Sequence, residues 1–207
     1  VGFTTLLQKT DLNDQQGQFV GLIKSAGENL LNIVNDILDI SKIEAGMLHF
    51  DKNPFSIREL CYSVEMMFYH YATEKKLSLE WIIDNNVPEI VTGDKERLTQ
   101  ILNNLVNNAL KFTDKGSIAV RVSVVEFKEQ VVVLRLSVKD TGVGIQPEKL
   151  ETIFERFEQA EANTTKKYGG TGLGLSIVKK LVTMQGGSVL AKSDPGAGAE
   201  FIIDIPF

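Results

Sequence analysis

The first fifty residues carry the apolar periodicity of a helical hairpin. Residues 1–9 are apolar enough to form the end of one helix, and the polar stretch 10–17 predicts a turn before a longer helix. In that longer helix, apolar side chains recur in alternating steps of four and three residues, which is a heptad seam. The seam consists of Phe19, Ile23, Ala26, Leu30, Ile33, Ile37 and Ile40. One hairpin cannot bury such a seam, so we expect two chains to form an antiparallel four-helix bundle; packing of the long helix on its own globular domain is the alternative.

Beyond Pro54 the pattern alternates between the helical period and the strand period. Ser56, followed three residues later by Glu59, is a capping signature that predicts a helix. We expect its apolar and aromatic positions to pack in the core: Leu60, Val64, Met67, Phe68 and His70. Alternating apolar positions predict strands over residues 77–83, 117–126, 132–138, 188–192 and 200–205. The order of these elements predicts an α+β fold, a mixed sheet covered by helices on one face.

The segment 94–113 predicts a strongly amphipathic helix with unusual polar chemistry. Because asparagine is a poor helix former, the asparagines on its polar side suggest a requirement other than helix stability. Asn104, Asn108 and Lys111 share one stripe at steps of four and three residues. Amide oxygens suit Mg²⁺, and a lysine one turn away suits phosphate oxygens. A solvated polar helix face is the alternative interpretation.

Two glycine-rich stretches follow. Asp140-Thr-Gly-Val-Gly-Ile145 ends an alternating apolar run, where the Asp140 carboxylate could accept a hydrogen bond from an exocyclic amine; a simple strand-ending turn is the alternative. Residues 169–175, Gly-Gly-Thr-Gly-Leu-Gly-Leu, open an amphipathic segment whose first amides would face phosphate. This stretch is not a P-loop, because the Gly-Lys-Ser/Thr ending is missing, and the chain has no HRD or DFG string. The connection 146–168 is long for a loop, which is typical of a functional segment.

Composition narrows the class of protein. The chain has 207 residues, 43% of them hydrophobic, and can bury a substantial core. Its net charge of −5 argues against a nucleic-acid partner. The lone Cys61 excludes an internal disulfide and is consistent with the cytoplasm, and no apolar run is long enough to insert in a membrane. The chain begins at Val1 without a signal peptide or an initiator methionine, so we interpret it as a fragment of a larger sensor, one that could itself be membrane-anchored.

Four stretches in order carry a family resemblance. They resemble the N, G1, F and G2 boxes of the sensor histidine kinases of two-component signalling: NLVNNALKFT, DTGVGI, IFERF and GGTGLGLSI. Within that family, they are similar to the boxes of hybrid sensor kinases. VGFTTLL and DILDISKIEAG resemble the two helices of the dimerisation and phosphotransfer domain. The resemblance implies the Bergerat ATP-binding fold of the GHKL superfamily, a two-layer α/β sandwich. It places a truncated dimerisation hairpin at residues 1–50 and an ATP-binding catalytic domain at residues 54–207.

The resemblance also implies site residues. Asp140 would read the adenine amino group, and Asn108 would hold Mg²⁺ together with the triphosphate, with Lys111 as a further cation. Phe154 and Phe157 would anchor the lid. The other implied ATP contacts are Gly142, Gly144, Ile145, Lys166, Lys167, Gly170, Thr171, Gly172, Leu173, Gly174 and Leu175. For the two lid lysines, simple solvation is the alternative.

The implied reaction is transfer of the ATP γ-phosphoryl group to a histidine, for relay to an aspartate of a response-regulator receiver domain. The acceptor histidine would lie about ten residues before Val1, so this fragment alone is not expected to autophosphorylate; His49 lacks the neighbouring acid of the family motif. Asn104 stands where hydrolytic relatives carry a glutamate, which favours transfer over hydrolysis. A hydrolytic GHKL ATPase and a non-catalytic dimerisation module are the two rival interpretations.

Overall fold

The chain folds into two compact units, Val1–Leu48 and His49–Phe207. The computed structural model describes residues 2–128, 131–155 and 172–207, apart from the side chains of residues 29 and 32. Among the described residues, no helix combines the length and the apolar character needed to cross a membrane.

The first unit is a helical hairpin, as predicted. Helix α1 spans Gly2–Leu7 and packs on α2, which spans Asp14–Glu44. The longer helix begins inside the segment 10–17 that we predicted to be a turn, because Asn13 caps it. The Asn13 side chain accepts a hydrogen bond from the amide of Gln16, whose own side chain accepts one from the amide of Asn13. The start of α2 is therefore set by its capping hydrogen bonds, at a position that the apolar pattern does not predict.

The second unit contains seven strands and four helices among its described residues. In chain order they are β1 (Asn53–Ser56), α3 (Ile57–Glu74), β2 (Ser78–Ile83), β3 (Ile90–Gly93), α4 (Lys95–Phe112), β4 (Ser117–Lys128), β5 (Val131–Asp140), α5 (Pro147–Leu150), α6 (Gly174–Met184), β6 (Ser188–Ser193) and β7 (Ala199–Pro206).

Five of these strands form one sheet in the order β2-β4-β5-β7-β6. The edge pair β2–β4 is parallel and the other three pairs are antiparallel, which confirms the predicted mixed sheet. Strands β1 and β3 pair antiparallel in a separate small sheet that we did not predict. Each has only four residues, and Pro54 in β1 argues locally against a strand, so the pattern carries little signal there.

The core lies between the large sheet and helices α3, α4 and α6. Alternate residues of the central strands point into it, as their 0% exposure shows: Ile118, Val120, Val122, Leu134, Leu136 and Val138. From α4, Leu98, Leu102 and Leu105 pack against them at 0–1% exposure. Each such side chain contributes ~1.5–3 kcal/mol to folding. This packing holds the apolar side of α4 on the sheet and leaves its polar side turned away from the sheet.

Our expectation for α3 was wrong in part. Ser56 does cap the helix, and Leu60 and Val64 are buried. Met67, however, is 60% exposed, and His70 is exposed beside Glu74, with 3.7 Å between Nδ1 and Oε1. Only one stripe of this amphipathic helix contacts the sheet and α4, so helical spacing alone placed too many of its large side chains in the core.

Candidate functional site

Helix α4 supplies the polar stripe predicted from sequence. The side chain of Asp94 caps the helix by accepting a hydrogen bond from the amide of Arg97 at 3.0 Å. Asn104, Asn108 and Lys111 are all half-buried on the side of α4 that faces away from the sheet. Burial lowers the pKa of Lys111, whose ammonium lies 4.8 Å from the ring centroid of Phe112. The stripe is thus a partly desolvated row of two amides and one cation.

The start of α6 meets this stripe. A Cβ added to Gly174 would lie 3.3 Å from Oδ1 of Asn104, so the side chain of Asn104 touches the first residue of α6. Leu173 is 2% exposed and anchors the helix start, where its carbonyl accepts a hydrogen bond from the Ser176 hydroxyl. The structure therefore brings Asn104 against Gly174, one of the predicted phosphate-side residues. Gly172, Leu173 and Leu175, three more of them, adjoin Gly174 along the chain.

Asp140, the last residue of β5, is 4% exposed. Its Oδ1 accepts hydrogen bonds from the amides of Gly142 at 2.8 Å and Ala199 at 3.3 Å. Burial raises the pKa of Asp140, and these two amides partly oppose that rise. Among the described residues both bonds use Oδ1, so Oδ2 is the oxygen available to a ligand.

The loop after Asp140 runs directly over the end of α4. A Cβ on Gly142 would collide with the carbonyl oxygen of Phe112, which also accepts a hydrogen bond from the amide of Val143 at 3.3 Å. Gly144 has φ +71° and lies against the carbonyl oxygen of Asp194, so both its conformation and its contact require glycine. The amide of Ile145 donates to the Ser193 hydroxyl at 2.8 Å. Asp140 and Lys111 are thereby brought to the same end of α4.

The turn between β6 and β7 belongs to this arrangement, although none of its residues was among the site residues expected from the sequence. Gly198 packs on the backbone carbonyl of Asp140, and its own carbonyl accepts a hydrogen bond from the Ser193 hydroxyl at 2.6 Å. The amide of Gly196 donates to Val143 at 2.8 Å. The Gly-Ala-Gly string at 196–198 could have indicated this role in the sequence, since two glycines around one residue suggest close backbone contact.

Some predicted residues cannot be placed. Phe157, Lys166, Lys167, Gly170 and Thr171 lie outside the described residues. The other predicted lid anchor, Phe154, packs edge-on against Phe201 of β7 with 6.2 Å between ring centroids. Lys179 of α6 lies 5.9 Å from the centroid of Phe154. The first part of the 146–168 connection is therefore anchored to β7 and α6.

The comparisons with known proteins agree on one family. Residues 93–207 match the family described as histidine kinase-, DNA gyrase B-, and HSP90-like ATPase, and residues 1–46 match the His Kinase A (phospho-acceptor) domain.

Individual relatives span both regions. The sensor histidine kinase GacS of Pseudomonas protegens is 42% identical over 205 residues, which is 99% of this chain and 22% of GacS. The crystal structure of full-length ShkA in complex with AMPPNP is similar with a TM-score of 0.81 and 33% identity, over 99% of this chain and 41% of ShkA. The histidine kinase ThkA, in complex with the response regulator protein TrrA, has a TM-score of 0.69 and 26% identity over 99% of this chain and 55% of the ThkA chain. The chain thus spans less than a quarter of the length of GacS, and it belongs to the sensor histidine kinase family.

Proposed function

We propose that this chain is the ATP-binding catalytic part of a sensor histidine kinase, with a dimerisation hairpin at residues 1–50 and the catalytic domain at residues 54–207. In the intact protein it transfers the γ-phosphoryl group of ATP to a histidine, for relay to a response-regulator aspartate. The observation that carries the proposal is the buried Asp140 carboxylate, held by two backbone amides through one oxygen beside the end of α4. The AMPPNP in the ShkA complex supports the same class of ligand.

Asp140 selects adenine. Its second oxygen accepts a hydrogen bond from the exocyclic amine of adenine, while guanine offers a carbonyl oxygen at that place and is rejected. Gly142, Gly144 and Ile145 line the base, because their backbone follows Asp140 closely along the loop.

The triphosphate lies along the polar stripe of α4. Asn108 and Lys111 fit a site for Mg²⁺ and phosphate, because an amide oxygen and the phosphate oxygens suffice as ligands for a cation that keeps several waters. Bound Mg²⁺ would offset charge on the β and γ phosphates. The amides at Gly172, Leu173, Gly174 and Leu175 add donors at the start of α6. For Gly170, Thr171, Lys166, Lys167 and Phe157, which lie outside the described residues, only the family resemblance supports a part in ATP binding.

Asn104 favours transfer over hydrolysis. It lies one turn before Asn108 and touches the start of α6. An amide cannot take a proton from water, so water at this position is not activated.

The hairpin makes the kinase a homodimer. Four large residues of its apolar seam, Phe19, Ile23, Leu30 and Ile37, are exposed in one chain, and a second hairpin would complete a four-helix bundle. The complex of ThkA with the response regulator protein TrrA supports a receiver domain as the partner that takes the phosphoryl group from the histidine. We place the fragment in the cytoplasm, as part of a larger sensor.

Labelling with γ-labelled ATP tests this proposal. In a chain extended at its N-terminus to include the expected histidine, we expect acid-labile, base-stable label on protein that is absent in Asp140→Asn. Steady phosphate release by the present chain, with no protein label in the extended one, would instead establish a hydrolytic ATPase.

A further inference from the structure

Lys75 reaches from one helix to the end of another. Its ammonium donates hydrogen bonds to the carbonyl oxygens of Leu110 at 2.6 Å and Thr113 at 3.4 Å, 35 and 38 residues away along the chain. Both acceptors belong to the last turn of α4 or its cap. The ammonium also lies 5.7 Å from the ring centroid of Tyr71, which shields one side of it.

The backbone around Lys75 holds it in place. Lys75 caps α3, and the next two residues close the helix end: the amide of Lys76 donates to Thr73 and that of Leu77 to Ala72. This is a Schellman arrangement, with Lys76 in the left-handed region at φ +57°. Lys75 therefore projects from a rigid turn.

The carbonyls of Leu110 and Thr113, which accept hydrogen bonds from Lys75, need a donor from outside the helix. The last four carbonyls of a helix have no acceptor role within the helix, and α4 ends in an extended residue, Thr113, instead of a glycine cap. Leu110 is 0% exposed, so water cannot readily donate a hydrogen bond to its carbonyl. A cation at a helix C-terminus is also favoured by the helix dipole.

The same turn of α4 carries the proposed site. Lys111 lies between Leu110 and Thr113 in the sequence, and Phe112 contacts Gly142 and Val143 of the loop after Asp140. The amide of Ser78 donates to the carbonyl of Gly116 at 3.1 Å, so the chain after Lys75 also holds the segment that leads out of α4.

We infer that Lys75 is a positioning residue for the nucleotide site: it fixes to α3 the last turn of α4, on which the loop after Asp140 packs through Phe112, and so sets the distance between the Lys111 cation and the Asp140 carboxylate. It touches no nucleotide itself. The inference rests on the proposed function, because it assigns Lys75 a part in ATP binding.

The test compares Lys75→Met with Lys76→Met, which removes the same charge from the neighbouring exposed position of the same turn. Two properties are measured: the affinity for AMPPNP with Mg²⁺, and amide hydrogen exchange of residues 113–117 and Val143 in nucleotide-free protein. We expect Lys75→Met to lose about tenfold in affinity, since small displacements of positioned groups are costly, and to exchange faster at these amides. Lys75→Arg should restore most of both properties.

A third variant separates positioning from general stability. Val64→Ala removes a fully buried contact of α3 and should lower Tm while AMPPNP affinity, measured well below Tm, stays at the parent value. If Lys75→Met binds as tightly as Lys76→Met, or if Val64→Ala loses affinity in the same proportion to Tm, Lys75 has no positioning role. A parent that fails to bind AMPPNP would overturn the proposed function and this inference together, whereas normal binding by both parent and Lys75→Met would overturn the inference alone.

Discussion

One carboxylate, that of Asp140, joins three separate parts of the chain. It accepts hydrogen bonds from Gly142 in the following loop and from Ala199 at the start of β7, and Gly198 packs on its backbone. The position of β5 is set by strand pairing on both sides, so the carboxylate is held by the sheet itself. A group held this way is prepared for a ligand before the ligand arrives.

Replacing Asp140 by asparagine should separate stability from binding. The single amide oxygen of Asp140→Asn would keep the two backbone hydrogen bonds, so the amide nitrogen would face the adenine amine, donor against donor. We expect ATP-analogue affinity to fall at least about tenfold, since a hydrogen bond to a charged group contributes ~1.5–3 kcal/mol. Competition with a fluorescent ATP analogue measures the loss; an unchanged dissociation constant would remove Asp140 from the site.

The pH dependence of folding stability provides a second comparison of the parent chain with Asp140→Asn. Burial raises the folded-state pKa of Asp140 above its ordinary 3.8, so its stabilising contribution is present below that value and is lost as pH rises through the folded-state pKa. At pH 7 the variant should therefore melt at or above the Tm of the nucleotide-free parent. Their difference should shrink as pH falls toward 4, and a variant that melts well below the parent at pH 7 would contradict this assignment.

At the scale of elements, helix α4 combines two functions on opposite sides. Its apolar side packs in the core, and its polar side carries the amides that the proposed site requires. Because asparagine lowers helix propensity, these residues trade some helix stability for ligand chemistry.

Asn108→Ala and Asn107→Ala test whether the polar side of α4 binds the ligand at the cost of helix stability. Both changes should slightly raise Tm, by the improved helix propensity of alanine, ~0.5 kcal/mol each. Only Asn108→Ala should abolish the increase in AMPPNP affinity that Mg²⁺ produces, because Asn107 is exposed and lies off the stripe. Titrations with and without Mg²⁺ measure that increase; its persistence in Asn108→Ala would mean that the metal has other protein ligands.

Whether an element could be predicted from the sequence depends on its length. Periodicity located α4 and the five strands of the large sheet, because long elements with one buried face repeat their signal many times. It did not find β1 or β3, which are too short to show a period, and it placed exposed Met67 in the core. Lys75 was also missed, because a lysine that caps a helix 35 residues away looks like any surface lysine in sequence.

At the scale of the whole molecule, the first unit has a large apolar surface in one chain. Phe19, Ile23 and Leu30 are 53%, 60% and 62% exposed, and Ile37 is 49% exposed. Exposed apolar stripes of this size mark interaction sites in soluble proteins. The heptad spacing of these four residues favours a second copy of the same hairpin as the partner.

Leu30→Lys should convert a dimer into a monomer, because a charge in the seam cannot be buried without a partner charge. Glu28→Lys, on an exposed position away from the seam, is the control and should leave the dimer intact. Sedimentation velocity gives the oligomeric state, and both variants should bind AMPPNP as the parent does. A monomeric parent would contradict hairpin-mediated dimerisation.

Calorimetric titration of the parent chain with AMPPNP in the presence of Mg²⁺ tests whether the described loops and helix α4 form an ATP site. We predict saturable binding with one nucleotide per chain, and no detectable heat from the matching guanine nucleotide at the same concentration. A folded parent that binds neither nucleotide, or binds both equally well, would contradict it.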